Sequence, residues 1–301
     1  MHQNSNSHST LSAREAAGHP WDKAADGWSR HGALVGEWLR EATIAMLDAA
    51  CIGPGSRVLD IAAGAGDQTL DIARRVGTSG HVLATDISAR GLELAQDKLR
   101  AAGFDRVETR VADAQALDLA GAGFDAAFCR LGLMFCRAPL DALRGIRAAL
   151  KPAGRFSALV FSGPQANPCI ATLVSTALRH AGFPPASPAA PGTLLSLGQT
   201  GLLAELLDTA GFADIEVRAV SAPMRLPSCQ HYIDFVRTAG LPIIAILAPL
   251  SAAAQTEAWQ DIAAQLDRFT TPTGWVGPNE LLLCSATRPA SLAETDHPAS
   301  A

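Results

Sequence analysis

One stretch around residue 60 most constrains the fold of this chain. Residues 57–73 read RVLDIAAGAGDQTLDIA: a short apolar strand that ends in Asp60, a loop of Gly and Ala, and a helical pattern. Small residues between a strand and a helix let the backbone approach a ligand at the helix N-terminus. The stretch predicts a ligand-binding strand–loop–helix unit, although small residues selected only for packing would give the same pattern.

A second acid at a strand end favours the ligand-binding interpretation. The apolar run HVLATDIS predicts a further strand, and that strand ends in Asp86. The carboxyl ends of parallel strands lie at one edge of a sheet, where ligands of open α/β folds bind. Two acids at the ends of successive strands suit a ligand that contains a nucleoside.

The loop and the two acids resemble the motif of the class I S-adenosylmethionine-dependent methyltransferases, which is acid-x-Gly-x-Gly-x-Gly followed by a ribose-binding acid. Asp60, Ala62, Gly64 and Gly66 occupy the motif positions, so Ala replaces the first Gly. The sequence DIAAGAGD is similar to the loop of the ubiquinone/menaquinone biosynthesis C-methyltransferases. Because Ala carries a methyl group, we expect the φ angle of Ala62 to be negative.

Apolar runs alternate with helical patterns from 57 to 161, which predicts βαβ units and a parallel sheet. The predicted strands are Arg57–Ile61, His81–Asp86, Val107–Val111, Phe124–Arg130 and Arg155–Phe161. The predicted helices are Asp67–Val76, Ala89–Ala102 and Pro139–Leu150, and Ser88 is the expected N-cap of the second. The resemblance adds a hairpin of residues 211–220 and Glu280–Thr287. The expected fold is α/β: a Rossmann-like, doubly wound, seven-stranded sheet, mostly parallel with one antiparallel edge strand, and a helical cap.

The chain divides into a core and additions to it. Residues 1–20 predict a disordered tail, and residues 21–161 hold N-terminal helices and the S-adenosylmethionine-binding core. Residues 199–220 and 280–288 complete the core sheet. Two segments, 162–198 and 221–279, exceed the minimal fold, and we predict that they form a cap that shapes the acceptor pocket. Trp28 and Trp38 precede the core at helical spacing, which fits either ordinary packing or ligand contact.

Composition excludes several classes of protein. A net charge of −5 and a pI near 5.9, without a Lys/Arg cluster, argue against a nucleic-acid partner. The 6 cysteines form no CxxC pair and no zinc-like Cys/His cluster, so we predict no metal site and reduced thiols in a cytoplasmic protein. No apolar run reaches transmembrane length. A homodimer is compatible with the resemblance, but no pattern in the sequence fixes the oligomeric state.

The resemblance implies a role for most residues of the cofactor site. Asp86 would accept both ribose hydroxyls, and Asp60 would orient the loop near the amino group of the methionine moiety. Asp113 resembles the acid that binds the adenine amino group, although an Asp after a strand also forms turns. A guanidinium is unfavourable beside a sulfonium, so Arg130 should point to the acceptor or to a carboxylate. The predicted cofactor-binding residues are Asp60, Ala62, Ala63, Gly64, Ala65, Gly66, Asp86, Ile87, Asp113, Ala114, Arg130 and Leu131.

These features predict methyl transfer from S-adenosylmethionine to a small, apolar or aromatic acceptor that is quinone-like or polyketide-like. In-line displacement needs alignment more than a nucleophilic side chain. A base could remove an acceptor proton, and the weak candidates, each a lone residue, are His31, His180, His231 and Tyr232. Nucleic-acid amino-methyltransferases have N/D-P-P-Y where this chain has CRLG.

Two alternative functions remain. A non-catalytic S-adenosylmethionine-binding protein would share the same loop and acids. An NAD(P)-dependent oxidoreductase would have G-x-G-x-x-G, whereas this loop has Gly64 and Gly66 followed by Thr69.

Overall fold

The computed structural model describes residues 19–184 and 190–290, so most of the predicted 1–20 tail lies outside the described residues. Its helices are α1 Asp22–Arg30, α2 Gly32–Ala49, α3 Asp67–Val76, α4 Ala89–Ala101, α5 Pro139–Ala149, α6 Pro168–His180, α7 Leu202–Thr209, α8 Cys229–Ala239, α9 Leu241–Leu247 and α10 Ala252–Leu266. Its strands are β1 Arg57–Ile61, β2 His81–Asp86, β3 Glu108–Val111, β4 Phe124–Arg130, β5 Leu150–Phe161, β6 Ala213–Ser221, β7 Met224–Leu226, β8 Thr270–Thr271, β9 Gly274–Gly277 and β10 Glu280–Thr287.

Seven strands form the central sheet in the order β3-β2-β1-β4-β5-β10-β6. The pairs from β3 to β5 are parallel, and β10 is antiparallel to both β5 and β6. The Rossmann-like, mostly parallel sheet predicted from the sequence is therefore confirmed. One detail differs: the antiparallel strand lies one position inside the edge, and β6 forms the edge.

The order of strands brings the ends of β1, β2 and β4 together. These strands are buried on both faces, because helices cover the sheet on either side. Phe124, Phe128 and Phe156 are fully buried in the resulting core. The sheet thus presents the loops after β1, β2 and β4 at a single edge.

The start and end of α4 follow the local chemistry expected of them. Ser88 accepts a hydrogen bond from the Gly91 amide at 2.9 Å, as the predicted N-cap should. Gly103 follows the helix with a φ of 81°, a conformation that Gly adopts at low cost. The start of this helix is fixed directly beside the end of β2.

The N-terminal segment forms two helices that lie against both the core and the later insertion. Asp22 of α1 accepts hydrogen bonds from the Ser88 hydroxyl at 2.6 Å and the Arg90 amide at 3.1 Å. On the other side of α1, Trp28 packs edge-on against Phe235 of α8, with ring centroids 5.6 Å apart. The helix α1 therefore lies between the start of α4 and the second insertion.

The two insertions form a helical layer with a small sheet. The helices α6, α8, α9 and α10 pack on one another, and β7, β9 and β8 form a three-stranded antiparallel sheet. Trp275 of β9 is fully buried, and its indole N–H donates to the Leu266 carbonyl at 2.9 Å. In the described residues, no helix has the length and hydropathy needed to span a bilayer.

The contact between α1 and α8 leads to a prediction. A Cβ on Gly27 would lie 2.0 Å from the Thr238 carbonyl oxygen, whereas a Cβ on Gly36 would meet nothing within 4 Å. We expect Gly27→Ala to destabilise the protein by about 1–3 kcal/mol, because α1 must move away from α8. Gly36→Ala should stabilise it by up to about 1 kcal/mol through helix propensity. Urea unfolding measures both, and equal changes in the two variants would contradict the contact.

Candidate active site

A cavity of about 390 Å³ opens at the carboxyl edge of the sheet. The loops after β1, β2 and β4 and the segment after β3 form its floor, and α1 and α2 form its apolar side. Loops that follow parallel strands are the usual ligand-binding position in this architecture. The cavity is therefore the candidate active site.

The loop after β1 has a tightly constrained backbone. Gly66 has a φ of 82°, and a Cβ there would lie 2.8 Å from the Ala95 Cβ, so a side chain is excluded. A Cβ on Gly64 would meet nothing within 4 Å, because this residue faces the open cavity. Gly64 thus leaves space where a ligand can approach the backbone.

The predicted backbone conformation of Ala62 was wrong. Its φ is +56°, in the left-handed region that costs a residue with a Cβ about 1–2 kcal/mol. Leu131, at the end of β4, has a φ of +59°. Both residues line the cavity, and strained backbone of this kind is concentrated at ligand-binding sites.

Asp86 holds two backbone amides at the cavity edge. Its Oδ2 accepts a hydrogen bond from the Gly64 amide at 2.8 Å, and its Oδ1 accepts one from the Ser88 amide at 2.8 Å. Burial raises the pKa of the Asp86 carboxyl above its usual value, against the lowering effect of these hydrogen bonds. Each carboxylate oxygen keeps acceptor capacity for a ligand hydroxyl.

Asp60 lies behind the loop and does not line the cavity. It is fully buried, accepts a hydrogen bond from the Thr69 hydroxyl at 2.6 Å, and accepts a second from the Gln68 side-chain amide. Burial raises the pKa of the Asp60 carboxyl to about 7. Gln68, not Asp60, reaches the cavity from this cluster.

Asp113 forms the turn that the sequence suggested and also lines the cavity. Its carboxylate accepts from the Gln115 amide at 2.9 Å, which closes a turn after β3, and the residue lines the cavity. Gln115 in turn accepts from the Ala138 amide at 2.8 Å. The turn therefore fixes the segments after β3 and β4 relative to each other.

Arg130 extends from the end of β4 toward α2. Its Nη1 donates to the Thr43 hydroxyl at 2.8 Å, and burial lowers the pKa of its guanidinium. Among the residues that the structure describes, no carboxylate lies within 4.0 Å of this group. Arg130 thus presents a cation to the cavity without an ion-pair partner there.

Aromatic and aliphatic side chains cover the remaining side of the cavity. Trp21 packs edge-on against Phe135, with centroids 4.8 Å apart. The apolar wall consists of Trp21, Trp28, Val35, Leu39 and Phe135. None of the lining residues comes from the described parts of 162–198 and 221–279, which reach this wall only through contacts such as Trp28 with Phe235.

Comparisons with known proteins agree with this geometry. A model of the ubiE/COQ5 methyltransferase family matches residues 38–174. A ubiquinone/menaquinone biosynthesis C-methyltransferase of Ectopseudomonas mendocina is 37% identical over 126 residues, which is 42% of this chain and 49% of that protein. The chain therefore spans about half the length of the curated relative it matches.

Residues 38–174 are thus similar in sequence to the ubiE/COQ5 methyltransferase family.

Solved structures have a similar fold over more of the chain than residues 38–174. A putative methyltransferase from Bacillus halodurans superimposes with a TM-score of 0.56 at 16% identity, over 83% of this chain and 100% of that one. Phosphoethanolamine N-methyltransferase 2 of Haemonchus contortus, in complex with S-adenosyl-L-methionine, superimposes with a TM-score of 0.51 at 19% identity. The superposition covers 83% of this chain and 52% of that one. At such identities the likeness establishes the methyltransferase fold alone.

Most residues that the family motif singled out surround one cavity. Those that line it are Ala62, Ala63, Gly64, Ala65, Asp86, Ile87, Asp113, Ala114, Arg130 and Leu131, whereas Asp60 and Gly66 do not line it. The cavity also includes residues that the motif did not single out. Among these are His19, Trp21 and Gln68, and nothing in their spacing marked them as ligand-facing.

The candidate bases do not line the cavity. His31 Nε2 lies 3.0 Å from the Thr238 hydroxyl, and His180 Nε2 lies 2.8 Å from an Asp261 oxygen in the insertion. His231 pairs with Ser228 at 2.8 Å on the surface, and Tyr232 stacks on Trp275 with centroids 4.7 Å apart. These contacts give all four side chains a packing or surface role in this conformation.

The raised pKa of Asp60 leads to a prediction about stability. Because its pKa is about 7 in the folded protein and about 3.8 for an ordinary Asp side chain, Asp60 binds its proton more tightly in the folded protein than in the unfolded chain. The contribution of Asp60 to the free energy of unfolding therefore falls as pH rises from about 4 to about 7. Each unit of pKa shift corresponds to about 1.4 kcal/mol.

Asp60→Asn should remove this decline. Urea unfolding of the parent and the variant at pH 5 and pH 8 gives the difference in slope directly. If both proteins lose the same free energy of unfolding between the two pH values, Asp60 does not titrate in this range.

Proposed function

We propose that this protein transfers the methyl group of S-adenosylmethionine to a small, apolar or aromatic acceptor. The observation that carries the proposal is the juxtaposition, around one cavity, of the β1 loop, the acid at the end of β2 and a wall of aromatic side chains. The match of residues 38–174 to a methyltransferase family model supports it.

The residues present fit the cofactor. Asp86 has acceptor capacity for two ribose hydroxyls at the edge of the cavity. Gly64 leaves space beside the backbone, where the sulfur-containing chain would lie. Asp113 and the Ala114 amide follow β3, in the position where the family binds adenine. One buried acceptor of a lining residue, Gln68 Oε1, has no partner among the described residues.

The chemistry requires alignment and exclusion of water. When bound, S-adenosylmethionine would supply an electrophilic methyl group on a sulfonium. As the acceptor atom bonds to this methyl group, the methyl–sulfur bond would break, S-adenosylhomocysteine would leave as a neutral thioether, and the acceptor proton would pass to solvent. Trp21, Trp28 and Leu39 cover the cavity and limit access of water to the reacting atoms. Asp86 and the β1 loop fix one reactant, and the apolar wall restricts the orientation of the other.

The chemistry of the wall favours an apolar or aromatic acceptor. Trp21, Trp28 and Phe135 offer ring faces and edges, which pack well against a flat aromatic molecule. A quinone-like or polyketide-like acceptor fits this surface, and the curated relative in Ectopseudomonas mendocina is named as a quinone biosynthesis enzyme. The contribution of the two insertions to the acceptor pocket, a cytoplasmic location and a homodimer remain predictions.

Calorimetric titration with S-adenosylmethionine and S-adenosylhomocysteine, with NADH as the control, tests the cofactor. Micromolar binding of either sulfur ligand, without binding of NADH, is expected. A panel of quinols, naphthols and polyketide-like phenols with S-adenosylmethionine, analysed by mass spectrometry, then tests the acceptor. Binding without a methylated product from any acceptor would favour a non-catalytic S-adenosylmethionine-binding protein, and binding of NADH alone would favour an oxidoreductase.

A further inference from the structure

The strand β6 forms an edge of the central sheet, and its outer side has no partner strand in the described part of the chain. On its inner side β10 pairs with it from Ser221 to Glu216, and the only shift of register lies beyond Glu216, near the start of β6. A regular strand edge exposes unpaired backbone groups, and proteins often block such edges with Pro, Lys or a bulge. Residues 216–221 contain none of these, so this part of β6 is open to pairing with another strand.

The backbone groups of β6 point alternately toward β10 and away from it. The Ala222 amide, directly after the strand, donates to the Asn279 carbonyl at 2.9 Å, so the backbone of Ala222 faces β10. Because successive residues turn their N–H and C=O groups to opposite sides of a strand, Val217, Ala219 and Ser221 direct theirs outward. No loop, turn or side chain of the described residues forms a hydrogen bond with these outward amides. They can therefore pair with a second strand.

The side chains of β6 are complementary to those of a second, antiparallel copy of the same strand. When the two copies of Val217 lie opposite each other, Glu216 of each copy faces Arg218 of the other. On the other face of the sheet, the Val217 pair is flanked by pairs of Ile215 with Ala219. A pair centred on Glu216 or on Arg218 would instead bring like charges together. The sequence of β6 thus favours one register, with ion pairs on one face and apolar contacts on the other.

Both charged side chains of this register are available for the contact. Glu216 and Arg218 are exposed, and neither has an ion-pair partner within 4.0 Å among the residues that the structure describes. The other edge of the sheet, β3, is less available. It has 4 residues, and its Glu108 carboxylate already lies 3.8 Å from His81 Nδ1. Length and unpaired charge therefore favour β6 over β3 as the pairing edge.

We propose that two copies of this chain pair through their β6 edges, antiparallel about a two-fold axis at Val217, so that the two central sheets become continuous. Backbone hydrogen bonds supply the attraction, and the pairs of Glu216 with Arg218 fix the register. The cavity lies at the ends of β1, β2 and β4, and β5 and β10 separate it from β6. The dimer therefore leaves both cavities open, and the inference goes beyond the proposed function without depending on it.

Charge reversal at the two positions tests both the edge and the register. In a homodimer, Glu216→Arg places Arg opposite Arg218, and Arg218→Glu places Glu opposite Glu216, so each variant alone has only like charges in contact. In a mixture of the two variants, one copy of each brings opposite charges together at both positions. Sedimentation equilibrium of the full chain in the micromolar range measures each association constant, and circular dichroism checks folding. Glu108→Arg, at the β3 edge, is the control.

We expect the parent to be a dimer, each β6 variant to associate at least tenfold more weakly, and the equimolar mixture to recover the association of the parent. The control should associate like the parent. A monomeric parent, equal association of the parent and the β6 variants, or a mixture that stays monomeric would each overturn the inference, as would dissociation caused by Glu108→Arg instead. Glu216→Lys and Arg218→Asp carry the same charges and replace any variant that is not folded. No ligand is used, so these outcomes do not bear on the proposed function.

Discussion

Asp86→Ala is expected to weaken binding of S-adenosylhomocysteine by about 2 kcal/mol or more, which is roughly thirtyfold in the dissociation constant. Two effects add in the same direction. The variant loses the carboxylate that we propose accepts the ribose hydroxyls, and it leaves the Gly64 and Ser88 amides without their acceptor. Because Gly64 belongs to the ligand-facing loop, the loop should also become less ordered.

Two further variants, Asp86→Asn and Asp105→Ala, test whether loss of the Asp86 carboxylate causes the loss of affinity. Asp86→Asn keeps one side-chain oxygen that can accept from an amide, so it should lose less affinity than Asp86→Ala. Asp105→Ala removes an exposed carboxylate before β3 and should leave the affinity unchanged. Thermal denaturation checks that each variant is folded. Affinity of Asp86→Ala equal to that of the parent would show that the ribose assignment is wrong.

The pattern of the sequence predicted the core elements closely. Arg57–Ile61, His81–Asp86, Phe124–Arg130 and Glu280–Thr287 have the same bounds in the structure as in the prediction. Strands buried on both faces give short, continuous apolar runs, and Gly or a polar residue marks their ends. The hydrophobic pattern and the turn residues therefore agree at each of these positions.

The insertions were predicted less well because their elements depend on tertiary contacts. The strands β7, β8 and β9 have 3, 2 and 4 residues, which is too short for an alternating pattern to be recognised.

The start of one core strand was also missed: the fifth strand was predicted from Arg155, but β5 begins at Leu150. Its first residues are stabilised by pairing that periodicity does not reveal, such as Leu150 with Phe124.

The parts of the site that a sequence motif marks could be predicted. Backbone angles and side-chain positions that depend on tertiary packing could not. The loop after β1 could be located from its small residues, whereas the left-handed φ of Ala62 could not. The polar residue Gln68 reads as an ordinary residue in the first turn of a helix. Only the structure shows that its amide lies between Asp60 and the cavity.

Gly132→Ala is the substitution with the largest expected effect on the geometry of the cavity. A Cβ at this position would lie 2.3 Å from the Ala62 Cβ and 3.0 Å from the Cys129 sulfur. The φ of Gly132 is −103°, which Ala adopts without strain, so the effect is steric. The loops after β1 and β4 must separate, and we expect a loss of about 1–3 kcal/mol in the free energy of unfolding. Both loops line the cavity, so affinity for S-adenosylhomocysteine should fall as well.

The variant Ala62→Gly supplies the control for Gly132→Ala. Ala62→Gly removes the methyl group that Gly132→Ala would contact, and it also relieves the left-handed φ of Ala62. The double variant Ala62→Gly, Gly132→Ala should therefore recover most of the stability and affinity that Gly132→Ala loses. In a double-mutant cycle, residues in contact show a coupling energy of about 0.5–3 kcal/mol. Additive effects of the two substitutions would mean that the loops do not meet at these residues. Recovery would show that the close approach of Ala62 and Gly132 sets the spacing of the two ligand-facing loops.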